Sequence, residues 1–373
     1  MPTAHPLLDG TSIGLHPGVV AGGVAALVLA VALGLRRQGV KAAPAAGPVP
    51  GRPATVCQLV ATGCLVALAL TARLGSNVEP ANPTTVLLVP LLWPALVLLA
   101  ALGLRVWGYA NPWALPGGLV AAPTAERSAD ARPAALAAVA WVWFLTRYAH
   151  SVPPRAAGVA LTAYTLVTLA GCVAVGRRWL RDGELLGAYL GWLEQLRGLR
   201  LASWSPPRGA TAVVSTLLGG LLFARWRLSG SFAELAGVVT AVPLLTVWLG
   251  GALVVAYALV RGAELLSARD ARGSATSALV PAVAGVALAV GLRRSLVAAQ
   301  LLPGTLGGTV AAVDLNPLGT RTTELVAVQL IAAGHLAGAV VLAERVAGRR
   351  ARLPAAAVLA VSAAVAVAVV LAG

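Results

Sequence analysis

Apolar runs long enough to cross a bilayer, roughly 18 residues or more, follow one another from end to end of this 373-residue chain, and each is closed off by Arg, Pro or Gly. That pattern is the signature of bundled membrane-spanning helices. It places spans at about 18–35, 54–72, 84–104, 133–149, 156–176, 209–224, 236–260, 275–292, 324–343 and 354–372. The expected fold class is therefore all-α, a polytopic transmembrane helix bundle of about ten spans forming a single domain over residues 1–373. The sixth span is short enough to be re-entrant. Residues 295–323 read as a re-entrant segment or an outer loop, because "SLVAAQLLPGTLGGTVAAV" (Ser295–Val313) is a Gly/Pro-broken apolar piece able to dip into the membrane without crossing it.

Two segments between spans read differently from each other. Residues 36–53, rich in Ala, Pro and Gly, form a flexible cytoplasmic linker with no periodicity. In residues 181–198, Leu185, Tyr189, Leu193 and Leu196 share one helical face, with Glu184, Gly187, Gly191, Glu194 and Gln195 opposite. This spacing predicts an amphipathic helix lying on the cytoplasmic membrane surface, with Tyr189 and Trp192 at headgroup depth. A connector packed under the bundle has the same geometry, so both readings stay open.

Composition reinforces the pattern: 58% of residues are hydrophobic and 11% charged, and mean hydropathy is +0.84, far outside soluble globular norms. The net charge of +15 does not point to nucleic acid, because the Arg residues sit in short loops with no aromatic-interleaved patch. They report topology instead. Twenty Lys and Arg fall in one set of alternate loops and eight in the other, so the positive-inside bias puts both termini outside and calls for an even span count. The start lacks a positive region ahead of its first apolar core, so that span is expected to act as an uncleaved anchor in the plasma membrane. The expected partners are the lipid bilayer and a membrane or extracytoplasmic protein.

Candidate chemistry is sparse. Cys57, Cys64 and Cys172 lie in apolar runs and read as small packing residues. Of the four histidines, His5, His16 and His150 fall outside on this topology and only His335 lies within a span. An ionisable group there must face protein or water. His335 sits between Gly334 and Gly338, a small-xxx-small pattern that admits a neighbouring helix. One reading is a neutral histidine hydrogen-bonded across a tight helix pair; the other is a proton or metal role. Gln329 lies roughly one and a half to two turns from Glu324 and from His335, so it shares a polar face with either only approximately. A metal site assembled from His5, His16, His150 and an outer carboxylate (Asp9, Glu79, Glu234, Asp314 or Glu324) is geometrically conceivable, but no ligand spacing in the sequence demands it. "GTSIG" (Gly10–Gly14) lacks a nucleophile-elbow context, and no phosphate-binding glycine loop occurs. No cofactor is evident; a transition metal at His335 and His5 is the one candidate. Pro90, Pro94, Pro243 and Pro281 read as kinks in supported spans.

Several stretches resemble a family of polytopic bacterial membrane proteins labelled "fenitrothion hydrolase". They are "AHPLLDGTSIGLHPGVVAGG", the run from "NVEPANPTT" to Asn111–Pro112–Trp113, "RRWLRDGELLGAYLGWLEQL", "NPLG" and "VQLIAAGHLAGAVVLAERV". The resemblance spans most of the chain and implies a membrane-embedded, metal-dependent hydrolase, with His5 and His335 as the matched residues. The chain departs from the family pattern where "TSALVPAVAGVALAVGL" lacks histidines, where "FARWRLSG" lacks an Asp, and where Glu344 replaces a His. The residues themselves favour a non-catalytic membrane component or anchor that packs with a partner. A transporter or channel for a small solute or metal ion is the alternative, and the hydrolase the third reading.

Overall fold

The computed structural model describes residues 51–121, 130–148, 152–236, 242–267, 271–306, 313–346 and 349–372. The predicted first span, most of the 36–53 linker, His5, His16 and His150 lie outside the described residues. The rest is helical, with no strand among the described residues. In chain order the helices are α1 (Arg52–Leu74), α2 (Pro83–Ala101), α3 (Val106–Ala110), α4 (Ala114–Val120), α5 (Arg132–Arg147), α6 (Pro154–Val175), α7 (Trp179–Asp182) and α8 (Leu185–Leu193). They continue as α9 (Ala210–Trp226), α10 (Gly230–Ala236), α11 (Val242–Leu266), α12 (Ser274–Leu306), α13 (Thr320–Arg345) and α14 (Arg349–Leu371).

Seven of these, α1, α2, α6, α11, α12, α13 and α14, are long and apolar enough to cross a membrane. The predicted fourth and sixth spans are helices of 16 and 17 residues, α5 and α9. At about 1.5 Å per residue they reach about 25 Å, short of a hydrocarbon core of about 30 Å. The 295–323 reading needs correction. Ser295–Leu306 is no separate dipping piece but the second half of α12, one helix of 33 residues that carries Pro281 and Pro303.

The interfacial helix is also corrected. Residues Leu185–Leu193 are helical, yet Leu185, Tyr189, Trp192, Leu193 and Leu196 are all buried, as are Gly187 and Gly191 on the opposite face. The reason lies in the glycines. Without side chains they form no polar face but a backbone surface on which α7 rests: a Cβ on Gly187 would stand 1.9 Å from the Leu180 carbonyl oxygen. Tyr189 donates its hydroxyl to Val280 O of α12 at 3.1 Å. Glu184 is turned inward, its carboxylate capping α8 through the Leu186 and Gly187 amides at 2.8 and 2.6 Å while Tyr164 donates to it from α6.

A second internal segment escapes the hydrophobic pattern. The turn Asn111–Pro112–Trp113 between α3 and α4 is buried, with Pro112 O accepting from Thr62 at 2.7 Å and the Trp113 indole donating to Thr165 at 3.1 Å. Thr62 and Thr165 are near the midpoints of α1 and α6, so this non-helical backbone lies at mid-depth, protected by protein.

α12 is the axis of the bundle. Its first half, Ser274–Ala287, is buried on every face, and α13 crosses it at glycines. A Cβ on Gly334 would stand 2.5 Å from Pro281 O, one on Gly338 2.2 Å from Ala278 O, and one on Gly285 2.4 Å from Leu330 O. The N-terminus of α12 is capped from α11: buried Glu264 accepts from the Gly273 amide, the Thr276 amide at 2.8 Å and the Thr276 hydroxyl at 3.0 Å.

Loops meet in two groups. At one end Arg345 binds Trp204 O at 2.5 Å and Arg272 O at 3.1 Å, and the Ala131 amide binds Arg208 O at 2.7 Å. At the other, the Arg155 amide binds Asn77, Arg227 binds Thr146 O, and Thr305 binds Pro80 O at 2.8 Å. These groups are the Arg-rich and Arg-poor loop sets of the sequence. A Gly334→Val variant, which has no room at the crossing, is expected to lose about 3 kcal/mol or more. Gly250→Ala, where nothing lies within 4 Å, should hold or gain stability. Thermal unfolding in a non-ionic detergent compares the two.

Candidate functional site

The site begins with the prolines of α2. Pro94 has no N–H, so the carbonyl of Pro90, four residues earlier, loses its α-helical donor. Here the backbone widens into a π-helical turn, Leu88–Leu92, and the Ser295 hydroxyl of α12 supplies the missing donor to Pro90 O at 2.5 Å. Irregular turns of this kind recur at functional sites. The break forms one wall of a cavity of about 700 Å³ that opens at the Arg-poor end of the bundle, between α2, α9, α12 and α13.

Most of its wall is apolar: Val86, Val89, Leu221, Ala287, Val290 and Ala298 contribute. Five charged side chains line it as well, namely Arg225, Arg293, Arg294, Glu79 and Glu324. Arg225 spends one N–H on Val370 O at 3.2 Å and Arg293 one on Leu315 O at 3.1 Å. Arg294 acts on Glu79, whose carboxyl is pushed above its usual range by burial, against the opposing pull of the Val152 amide and the Arg294 charge. The four ion pairs among the described residues, Arg105–Glu194, Arg132–Asp130, Arg178–Asp182 and Arg181–Asp182, all lie at the opposite end. Trp93 also lines the cavity; it is 7% exposed and its indole N–H has no acceptor among the described residues.

Sequence reasoning assigned the three arginines to topology alone. The signal that marks them is their place: Arg293–Arg294 and Arg225 are in the loop set otherwise poor in positive charge. Glu79 and Glu324 were among the outer carboxylates considered for a metal, and the fold brings both to this cavity. Arg225 and Leu228 line one side of it and Ala287, Ala289, Val290 and Gly291 the other.

His335 is elsewhere. Its Nδ1 lies 2.8 Å from Ile331 O and its Nε2 2.9 Å from the Ser362 hydroxyl of α14, so both ring nitrogens have protein partners. A carbonyl only accepts, which puts a proton on Nδ1. Gly334 faces α12, while Gly338 lies against both α12 and Leu359 of α14. The glycines and the histidine therefore join three helices rather than two. Gln329 makes no bond to His335, and its buried side-chain oxygen has no partner among the described residues. No group of three or more His, Cys, Asp and Glu that could hold a metal occurs among the described residues. Cys172 packs against Gly117, whereas Cys57 and Cys64 face outward from α1.

At the Arg-rich end, a gap with room for about one water separates Trp107 and Asn111 from Gly187, Gly191 and Glu194. The Glu194 carboxylate is 4.0 Å from Arg105 Nε. Burial outweighs that charge and pushes Glu194 up to about 7.

No protein-family model matches the chain, and no curated protein or solved structure is significantly similar to it.

Two measurements follow from this geometry. Because Glu194 binds its proton more tightly folded than unfolded, stability falls as pH rises from about 4.5 to about 7. Melting is expected at a higher temperature at pH 5 than at pH 8, and Glu194→Gln should flatten that part of the profile. A double-mutant cycle on His335→Ala and Ser362→Ala should give a coupling of about 1 kcal/mol.

Proposed function

We propose that this membrane protein is a multi-pass plasma-membrane protein of about ten spans, with both termini extracytoplasmic, that admits a small solute from outside into the cavity between α2, α9, α12 and α13. It is the small-solute alternative among the sequence readings that this geometry favours, over a purely structural anchor. The observation that carries it is a cavity of about 700 Å³, within the range of small-molecule sites, with mostly apolar walls and a few convergent polar groups. Orientation rests on the charge bias: the cavity opens among loops that hold eight of the 28 Lys and Arg residues. Ten spans require the short helices α5 and α9 to cross, with the shortfall met by local thinning of the bilayer.

The anchor reading draws on the exposed apolar faces of α1 and α11, which lipid covers without a protein partner. The metal-dependent hydrolase draws on the family resemblance and its matched His5 and His335.

Cysteine accessibility tests the proposal. In a background with Cys57, Cys64 and Cys172 replaced by Ala, Val290→Cys on the cavity wall should react with a membrane-impermeant maleimide added to intact cells. Arg200→Cys should react only after permeabilisation. Reaction of Arg200→Cys in intact cells would overturn the orientation; an inert Val290→Cys in both settings would overturn the open cavity.

A further inference from the structure

We infer that the cavity selects a small organic anion with an apolar body, its acidic head held by Arg225, Arg294 and Arg293. This deepens the solute-binding reading and rests on it.

Three guanidinium groups and two carboxyl groups line one cavity, and a guanidinium stays protonated throughout the biological pH range. Even with Glu79 and Glu324 both ionised, three positive groups face two negative ones. The balance inside is thus positive. These charges are also unpaired in contact terms: none of the four close ion pairs among the described residues includes any of them. At the other end of the same molecule, arginines and carboxylates of similar number have closed on each other at 2.6 to 4.0 Å. A site built only to neutralise its charges would have closed likewise.

Donor capacity leads the same way. Arg225 and Arg293 are each tethered by a single N–H to a backbone oxygen, Val370 O and Leu315 O. Tethering orients the guanidinium and leaves most of its five donors available. Arg fits carboxylate and phosphate oxygens in bidentate fashion. Trp93 borders the same space, with its indole N–H buried beneath the wall.

The walls decide the rest of the ligand. Val86, Val89, Leu221 and Val290 offer nothing to a compact, fully hydrated ion such as inorganic phosphate, which would lose water without recompense. They suit an alkyl or aryl body. A free carboxylate solute and the head and proximal chain of an anionic lipid share this chemistry.

The probe is octanoate, with 1-octanol and octylammonium as matched neutral and cationic controls and inorganic phosphate as the compact anion. The full chain is purified in a non-ionic detergent, and affinity is measured by isothermal titration and by thermal shift. Octanoate is expected to bind saturably and octylammonium not to bind. Arg294→Gln and Arg225→Gln should each weaken octanoate about tenfold or more, and Arg294→Lys should retain part of the affinity. Competition by phosphatidylglycerol added to the micelle assigns the anion to lipid; its failure to compete assigns it to a free solute.

Equal binding of octanoate and octanol, unaffected by the arginine variants, would overturn the anion inference and leave the solute cavity standing. Preference for octylammonium or phosphate would overturn it as well. Absence of binding by every probe would take the solute reading down with it. The Gln variants are read beside their own melting curves, and a folded variant that still binds octanoate normally counts against the proposal.

Discussion

Backbone contact between α12 and α13 is the constraint on which the remaining packing hangs. Lipid is as apolar as leucine, so a bilayer offers little hydrophobic drive for two helices to associate, and close approach must supply the attraction. Gly285, Gly334 and Gly338 allow it, bringing carbonyl oxygens to where a side chain would otherwise begin. With α13 so close, α12 is enclosed on every face over its first half. His335 is then carried toward α14, where Ser362 meets its ring.

Because α12 is also the longest helix among the described residues, with 33 residues, it ties the two ends together. Its capped N-terminus, under Glu264, belongs to the Arg-rich end. Its later turns set Ser295 against the opened backbone of α2 and bring Arg293 and Arg294 to the cavity. The same rule governs each irregular stretch. Backbone groups away from water must find partners inside the protein, and they do so through Ser295 on Pro90 O, Thr62 on Pro112 O and Glu184 on the first turn of α8. That is why the α3–α4 turn and the α7–α8 connection are internal.

Charge is spent differently at the two ends. Arg178 and Arg181 share Asp182, and Arg345 holds the carbonyls of Trp204 and Arg272; these contacts fasten loops. Around the cavity Arg225 and Arg293 reach backbone at one point each, and none of its three arginines joins a close ion pair. The contrast separates charges that maintain the fold from charges available to a ligand.

Most helices were legible in the chain because an apolar run is a local property: its length measures how much backbone must satisfy itself by helical bonds. Gly334 and Gly338 were legible as a packing surface for the same reason, since small-residue spacing on one helix needs no knowledge of its partner. The apparent amphipathicity of 181–198 misled because glycine counts as polar in a pattern yet packs as bare backbone, and only Leu180 and Val280 reveal what covers Gly187 and Tyr189. Arg225 and Arg294 looked alike to every other loop arginine. What distinguishes them is convergence of α2, α9, α12 and α13 around one space, and that depends on contacts between residues far apart in sequence, which no local periodicity encodes.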